Sequence, residues 1–378
     1  MAPTTETTTE QATPPAPNPA PGPTPSPASR PVGKKKYAVG VRHQLDAAEL
    51  AATGLRDRWY PIIPSRFVGT GSMVKVKRLN VDWLLFRDAL GQVRMLEDRC
   101  PHRSAPLSVG QHLGDRIACK YHGVQVDGTG KVVSVPGMPG CALEGKTATV
   151  SLAVVEAADM VFAFMPLTDD SEVPPFKLPD RLSDPAVSWF SNYAEWRGPW
   201  RFYMDNVLDP MHGAFLHRES HSMSGGDTTA RFRIRETDRG FFFEKTDQRG
   251  VNFDWVEFCR EDMDYVDLEI PYAESAGPGG VFGIVGMSTP IDAQTSAVFH
   301  WRTRRVSGWE RDVWRFMYKA TLEEKHWVVL EQDREVLEAL AADADREENL
   351  YQHDLGVARI RRIYQADAQE QAAKLDAL

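Results

Sequence analysis

Four residues, Cys100, His102, Cys119 and His122, stand as Cys-x-His, sixteen intervening residues, then Cys-x-x-His. Each pair is close enough in sequence to present two ligands from one loop, so two loops make one centre. A zinc knuckle or a set of satisfied structural side chains would use the same residue types. Zinc fingers, however, favour a Cys-Cys pair followed by a His-His pair. One Cys and one His per loop instead suits a binuclear [2Fe–2S] centre in which two thiolates hold one iron and two imidazoles the other. Neutral imidazoles carry less negative charge than thiolates, so such a cluster accepts an electron more readily. His112, between the pairs, has no partner at ligand spacing and is expected at the surface; Cys141 and Cys259 are expected to be small buried side chains.

A second group lies in "WRFYMDNVLDPMHGAFLH", which contains Asp205, Asn206, Asp209, His212 and His217. On a straight helix a five-residue step turns the second side chain ~140° from the first, so shared ligation needs a distorted turn or a helix end. Asp209 as a cap and Pro210 at the first helical position fit such an end. Two ordinary histidines beside a cap are the alternative. Two imidazoles would need one carboxylate to complete the 2-His-1-carboxylate set of non-haem iron(II) sites, and "KHWVVLEQDREVLEALAADA" offers one. If this is a helix, Val329, Leu330, Asp333, Val336, Leu337 and Leu340 recur at three- and four-residue steps, placing Asp333 on the apolar stripe while Glu331 and Glu335 point elsewhere. A buried carboxylate is costly without a partner. Asp333 therefore either ligates a metal or pairs with a cation such as Arg334 or Lys325.

The elements that must position these groups change along the chain. Residues 1 to about 33 are nearly all Pro, Thr, Ala and Ser and are expected to be disordered, followed by a solvated basic cluster at Lys34–Lys36. A short helix is expected from Asp46 to Gly54, and the prolines of "WYPIIPS" are expected to break regular structure. Between Phe67 and Pro166 short branched and aromatic segments separated by turn residues predict a small all-β domain. Beyond Pro174 longer strands precede a helical C-terminus, which predicts an α+β domain. The expected divisions are 1–36 tail, 37–55 helical segment, 56–168 cluster domain and 169–378 second domain.

Composition narrows the function. The chain has 378 residues, 42% hydrophobic and 26% charged, with a net charge of −9, which disfavours nucleic-acid and anionic-membrane partners. Four cysteines are too few for a disulfide framework, and no apolar run reaches the ~18 residues of a membrane span. A cytoplasmic location is expected.

"CPHRSAPLS" and "CKYHG" resemble the Rieske motif, including the proline within the first pair and the glycine after the last. With the second group added, the chain from about Arg56 to the helix around Asp333 resembles the catalytic α subunit of a Rieske non-haem iron oxygenase. The resemblance implies an N-terminal all-β Rieske domain followed by a helix-grip-like α+β catalytic domain with an antiparallel sheet and C-terminal helices. It implies that Cys100, His102, Cys119 and His122 bind the [2Fe–2S] cluster and that His212, His217 and Asp333 ligate a mononuclear Fe(II). Asp209 matches the family's bridging aspartate, which links an iron-ligand histidine to a cluster-ligand histidine of the neighbouring subunit. A ring-shaped homotrimer follows, with a β subunit as a further option. The implied activity uses O₂ and NADH-derived electrons, delivered through a separate reductase with or without a ferredoxin, on a small aromatic substrate.

Asp205 and Asn206 are placed as in the monooxygenase branch that includes vanillate and dicamba O-demethylases, whereas Pro210 is more like the terephthalate-type dioxygenases. Hydroxylation or O- or N-demethylation is the favoured reaction. Cis-dihydroxylation of an aromatic carboxylate is the alternative, and a Rieske electron-transfer protein without oxygenase activity is the remoter one.

Overall fold

A computed structural model of the chain describes residues 38–219, 229–247, 250, 254–272, 280–341 and 343–378. The expected disordered tail and the Lys34–Lys36 cluster lie outside the described residues. Helix α1 (Ala47–Thr53) begins and ends where expected: the Asp46 carboxylate accepts from the Glu49 N–H at 2.8 Å, and Gly54 closes it at φ 109°.

Ten short strands follow: β1 (Arg58–Pro64), β2 (Met73–Arg78), β3 (Val81–Arg87), β4 (Val93–Glu97), β5 (Gln111–His112), β6 (Arg116–Ala118), β7 (Gln125–Asp127), β8 (Val132–Ser134), β9 (Val154–Ala157) and β10 (Met160–Met165). They form three antiparallel sheets, ordered β1-β10-β9, β2-β3-β4 and β5-β6-β7-β8. Strand β1 corrects the expectation that the prolines of "WYPIIPS" break regular structure. It is a fully buried strand that pairs on one side only, with β10, and its register shifts between Pro61 and Ile63. An edge position with an irregular register tolerates residues that lack an N–H.

The second domain is one seven-stranded antiparallel sheet flanked by helices, the α+β arrangement expected. Helix α2 (Asp180–Ser183) leads into β11 (Val187–Arg197), after which come α3 (Trp200–Val207) and α4 (His212–Leu216). Strands β12 (Phe232–Thr237), β13 (Gly240–Lys245), β14 (Trp255–Arg260), β15 (Asp264–Tyr272), β16 (Gly280–Pro290) and β17 (Thr295–Arg305) complete the sheet in the order β11-β17-β16-β15-β14-β13-β12. The C-terminus carries α5 (Gly308–Met317), a π-helical turn at Tyr318–Leu322, α6 (Glu323–Ala339) and α7 (Leu355–Asp376). Among the described residues no helix is long and apolar enough to cross a membrane.

The two faces of β17 divide the interior. Ala297, Phe299 and Trp301 join Trp59, Phe162 and Phe164 in a core shared with the first domain, and the Trp301 indole N–H donates to the Ala158 carbonyl at 2.9 Å. Val298 and His300 face the helices instead, His300 meeting Tyr203 of α3. An ion-pair cluster adds to the contact between the domains: Arg58 of β1 reaches Asp264 of β15 and, at 2.5 Å, Asp367 of α7.

Candidate functional site

Helix α3 stops at Val207, and Leu208 leaves helical geometry at φ −90°, ψ 0°. The Asp209 carboxylate turns the chain by accepting from the Met211 N–H at 2.8 Å, so Pro210 lies before α4 rather than at its first helical position as expected. Helix α4 is only five residues long, with His212 as its first residue and His217 just past its last at φ −102°, ψ 25°. That departure removes the ~140° separation of a continuous helix. Both imidazoles turn to one point, their ring centroids 5.1 Å apart.

Asp333 of α6 meets them there. Its Oδ1 lies 3.0 Å from His217 Nε2 and 3.5 Å from His212 Nε2. Leu330, Asp333 and Leu337 form the buried stripe of the helix, whereas Val336 and Leu340, expected on the same stripe, are 46% and 44% exposed. A 17-residue helix lying against the protein along one line of residues leaves its flanking apolar positions uncovered. Glu331 is exposed and pairs with Arg334, which also holds Glu338, so Arg334 is occupied away from Asp333.

The outer nitrogens of the two rings determine what this cluster can hold. His212 Nδ1–H donates to the Asp209 backbone carbonyl, and His217 Nδ1–H donates to Gln332 Oε1 at 2.9 Å. A neutral ring with its proton on Nδ1 presents a lone pair from Nε2. Asp333 Oδ1, despite the two close nitrogens, has no hydrogen-bond partner. Two imidazole lone pairs and a carboxylate oxygen converging in a buried place repel one another unless a cation sits among them, and two imidazoles with one carboxylate suit Fe(II). Protons compete for the same atoms. Burial pushes the Asp333 carboxyl up, but the two imidazoles outweigh it and hold it well below the usual range. For His212 burial opposes the charged ring, and Asp333 outweighs it and raises the pKa. Metal binding here displaces protons.

In the first domain Cys100 and Cys119 are buried, 2% and 3% exposed, while His102 and His122 are exposed. Two similar turns carry them. The Ser104 N–H donates to the Cys100 carbonyl at 2.9 Å, as the Gly123 N–H does to that of Cys119. Both turns contain a positive φ, 62° at Ser104 and 72° at Gly123. The Cys100 thiol, pushed up to about 11 by burial, contacts that of Cys119, and the imidazoles of His102 and His122 approach to 4.6 Å between centroids. Thiols inside and imidazoles outside match a cluster whose two irons take different ligands. His112 sits apart and half-buried, its Nε2–H donating to the Gly114 carbonyl at 2.9 Å. Cys259 is buried, but Cys141 is only half-buried, departing from the expectation for that residue.

Sequence reasoning missed three features of the site. Gln332 orients His217, although its position beside Asp333 in the helix was a signal. The Tyr203 hydroxyl is hydrogen-bonded to His300 Nε2, and Gly286 leaves the room for it. Asp205 is an ion-pair partner of Arg361 of α7, at 2.7 Å, tying α3 to the C-terminal helix.

Residues 58–154 match the family described as Rieske [2Fe-2S] domain, and residues 196–370 match the vanillate O-demethylase oxygenase C-terminal domain. A cluster domain joined to an oxygenase domain defines the class. Together the two matches give the chain the domain content of a Rieske oxygenase α subunit, a [2Fe–2S] cluster domain followed by an oxygenase domain. Protein TIC 55, chloroplastic, of Pisum sativum is 32% identical over 208 residues, 51% of this chain and 36% of that protein. The toluene-4-sulfonate monooxygenase system iron-sulfur subunit TsaM1 of Comamonas testosteroni is 32% identical over 165 residues, 43% of this chain and 46% of that protein. The matched stretches thus span less than half of either relative. The oxygenase of a carbazole 1,9a-dioxygenase, solved with its ferredoxin, shares the fold at a TM-score of 0.69 and 21% identity, covering 85% of this chain and 92% of that one.

Proposed function

We propose that this chain is the oxygenase component of a multicomponent Rieske system that uses O₂ and NADH-derived electrons to hydroxylate or demethylate a small aromatic substrate. The observation that carries the reading is the convergence of His212, His217 and Asp333 on one buried point, in a chain that also brings Cys100, His102, Cys119 and His122 together. When bound, the cluster supplies one electron at a time and the iron supplies O₂ activation. Asp333 and the two imidazoles would hold the iron. Gln332 and the Asp209 carbonyl fix the ring tautomers so that Nε2 faces inward. The match of the second domain to a demethylase family favours demethylation over cis-dihydroxylation.

Electrons come from a separate reductase, directly or through a ferredoxin. His102 and His122 lie at the surface of a single chain, which suits electron transfer to a neighbouring copy. Asp209, with its side chain 29% exposed and Oδ2 3.9 Å from His212 Nδ1, is the residue placed to accept from an imidazole of that copy. Asn206 lies in the last turn of α3, and its backbone carbonyl accepts from the Asp209 N–H at 3.1 Å. A homotrimer satisfies the arrangement.

The test is turnover. With a surrogate reductase and a panel of methoxylated and carboxylated aromatics, wild-type protein is expected to give hydroxylated or demethylated product, and His212→Ala none. Absence of any product from iron-loaded, reducible wild type across the panel counts against the oxygenase reading and favours electron transfer alone.

A further inference from the structure

Arg302 of β17 is a charged group beside the triad that the oxygenase reading leaves unused. It lies two residues from His300 on the strand face that meets α3, and it is 3% exposed. Other buried arginines of the chain have partners. Arg56 donates to the Leu79 carbonyl, Arg58 meets Asp264 and Asp367, and Arg78 donates to the Ile62 carbonyl and to Glu195. Among the described residues the guanidinium of Arg302 makes no ion pair or hydrogen bond, and its Nε is buried without a partner. The carboxylate acting on it is Asp333, which faces His212 and His217 rather than pairing with Arg302.

A second orphan stands next to it. His300 is 4% exposed, and its Nδ1 is also buried without a partner. Among the described residues the Tyr203 hydroxyl proton has no other acceptor than His300 Nε2, which assigns the proton of the neutral ring to Nδ1. Two donors, Arg302 and His300 Nδ1–H, therefore share one strand face beside the triad with no acceptor. Buried donors of this kind are rare in the absence of a ligand. Charge points the same way: an Fe(II) held by one carboxylate and two neutral imidazoles keeps one positive charge, and Arg302 adds another.

We propose that Arg302, assisted by His300, binds an anionic group of the substrate, so that the chain takes aromatic carboxylates in preference to neutral aromatics. The inference rests on the oxygenase reading and deepens it. The guanidinium fork matches a carboxylate in two parallel hydrogen bonds.

The experiment is calorimetric titration of the iron-loaded holoprotein with benzoate, 4-methoxybenzoate and 3-chlorobenzoate, each beside its neutral benzamide. At least one acid is expected to bind tenfold or more tightly than its amide. Arg302→Gln is expected to remove that ratio while keeping iron and a reducible cluster, and Arg302→Lys to retain part of it. Equal binding of acids and amides, binding of no acid, or a ratio unchanged in Arg302→Gln each overturns the assignment. If Arg302→Gln does not fold, the wild-type ratio and Arg302→Lys still decide. Turnover of amides as fast as acids removes the anchor and leaves the oxygenase; Arg302-dependent binding of acids without any turnover does the reverse.

Discussion

Asp205→Asn tests how α3, the helix that leads to His212 and His217, is held against α7. Asp205 accepts from Arg361 at 2.7 and 3.0 Å with its side chain 12% exposed, an ion pair that reads at first as a stabilising contact. Burial nonetheless pushes its carboxyl up to about 6, against the pull of Arg361. In an unfolded chain the same group titrates near ~3.9. A raised acid pKa means that the folded state disfavours the ionised form, here by about 3 kcal/mol. The sign follows. Below pH ~4 the group is protonated in both states and carries no penalty; stability is lost as pH rises from ~4 to ~6 and stays lost above. Asn keeps the shape and has no proton to lose, so the variant should gain on wild type over that interval. Other titrating groups are common to both proteins and cancel in the difference. Since 1 kcal/mol moves the Tm of a domain this size by about 2–4 °C, the difference in Tm should swing by about 5–10 °C between pH 4.5 and pH 8. Scanning calorimetry of both proteins at one scan rate measures it. A difference that is flat with pH, or a variant less stable than wild type at pH 8, would refute the reasoning and make the Arg361 pair a net stabiliser.

Three further outcomes are expected. Gln332→Leu removes the acceptor of the His217 ring proton and should weaken iron binding ~10–100-fold in chelator competition; unchanged affinity would mean that His217 is oriented without it. Gly286→Ala would press a Cβ into the Tyr203 hydroxyl oxygen and should cost ~1–3 kcal/mol, seen as a lowered Tm, whereas a wild-type Tm contradicts the tight packing described. Asp209→Asn should keep both metals yet slow cluster oxidation ~10-fold or more in single turnover; a wild-type rate returns Asp209 to shaping the turn before α4.

What the sequence disclosed followed from how local each signal is. Cys100 with His102 and Cys119 with His122 each lie within one tight turn, so their spacing in the sequence already paired them. His212 and His217 were legible as a pair that needed a helix end, and Asp333 as a carboxylate on an apolar stripe. The extent of that stripe was not legible, because Val336 and Leu340 have the right spacing and yet stay exposed where α6 is uncovered. Strand β1 was hidden by Pro61 and Pro64, whose disfavour depends on whether a strand pairs on one side or two. Arg302 and His300 were hidden for another reason: residues 296–303 of β17 are buried on both faces, so no alternation marks which side chains meet the helices. Gln332 resembles any polar helix residue until the fold sets it against His217.

Iron and sulfide counts on purified wild type and Asp333→Ala test most directly whether one chain holds two separate iron centres. Wild type should contain about three irons and two inorganic sulfides per chain. Asp333→Ala should lose about one iron and keep both sulfides, with the EPR signal of the reduced cluster unchanged. Full iron retained in Asp333→Ala, or zinc in place of iron in wild type, would contradict the assignment of His212, His217 and Asp333.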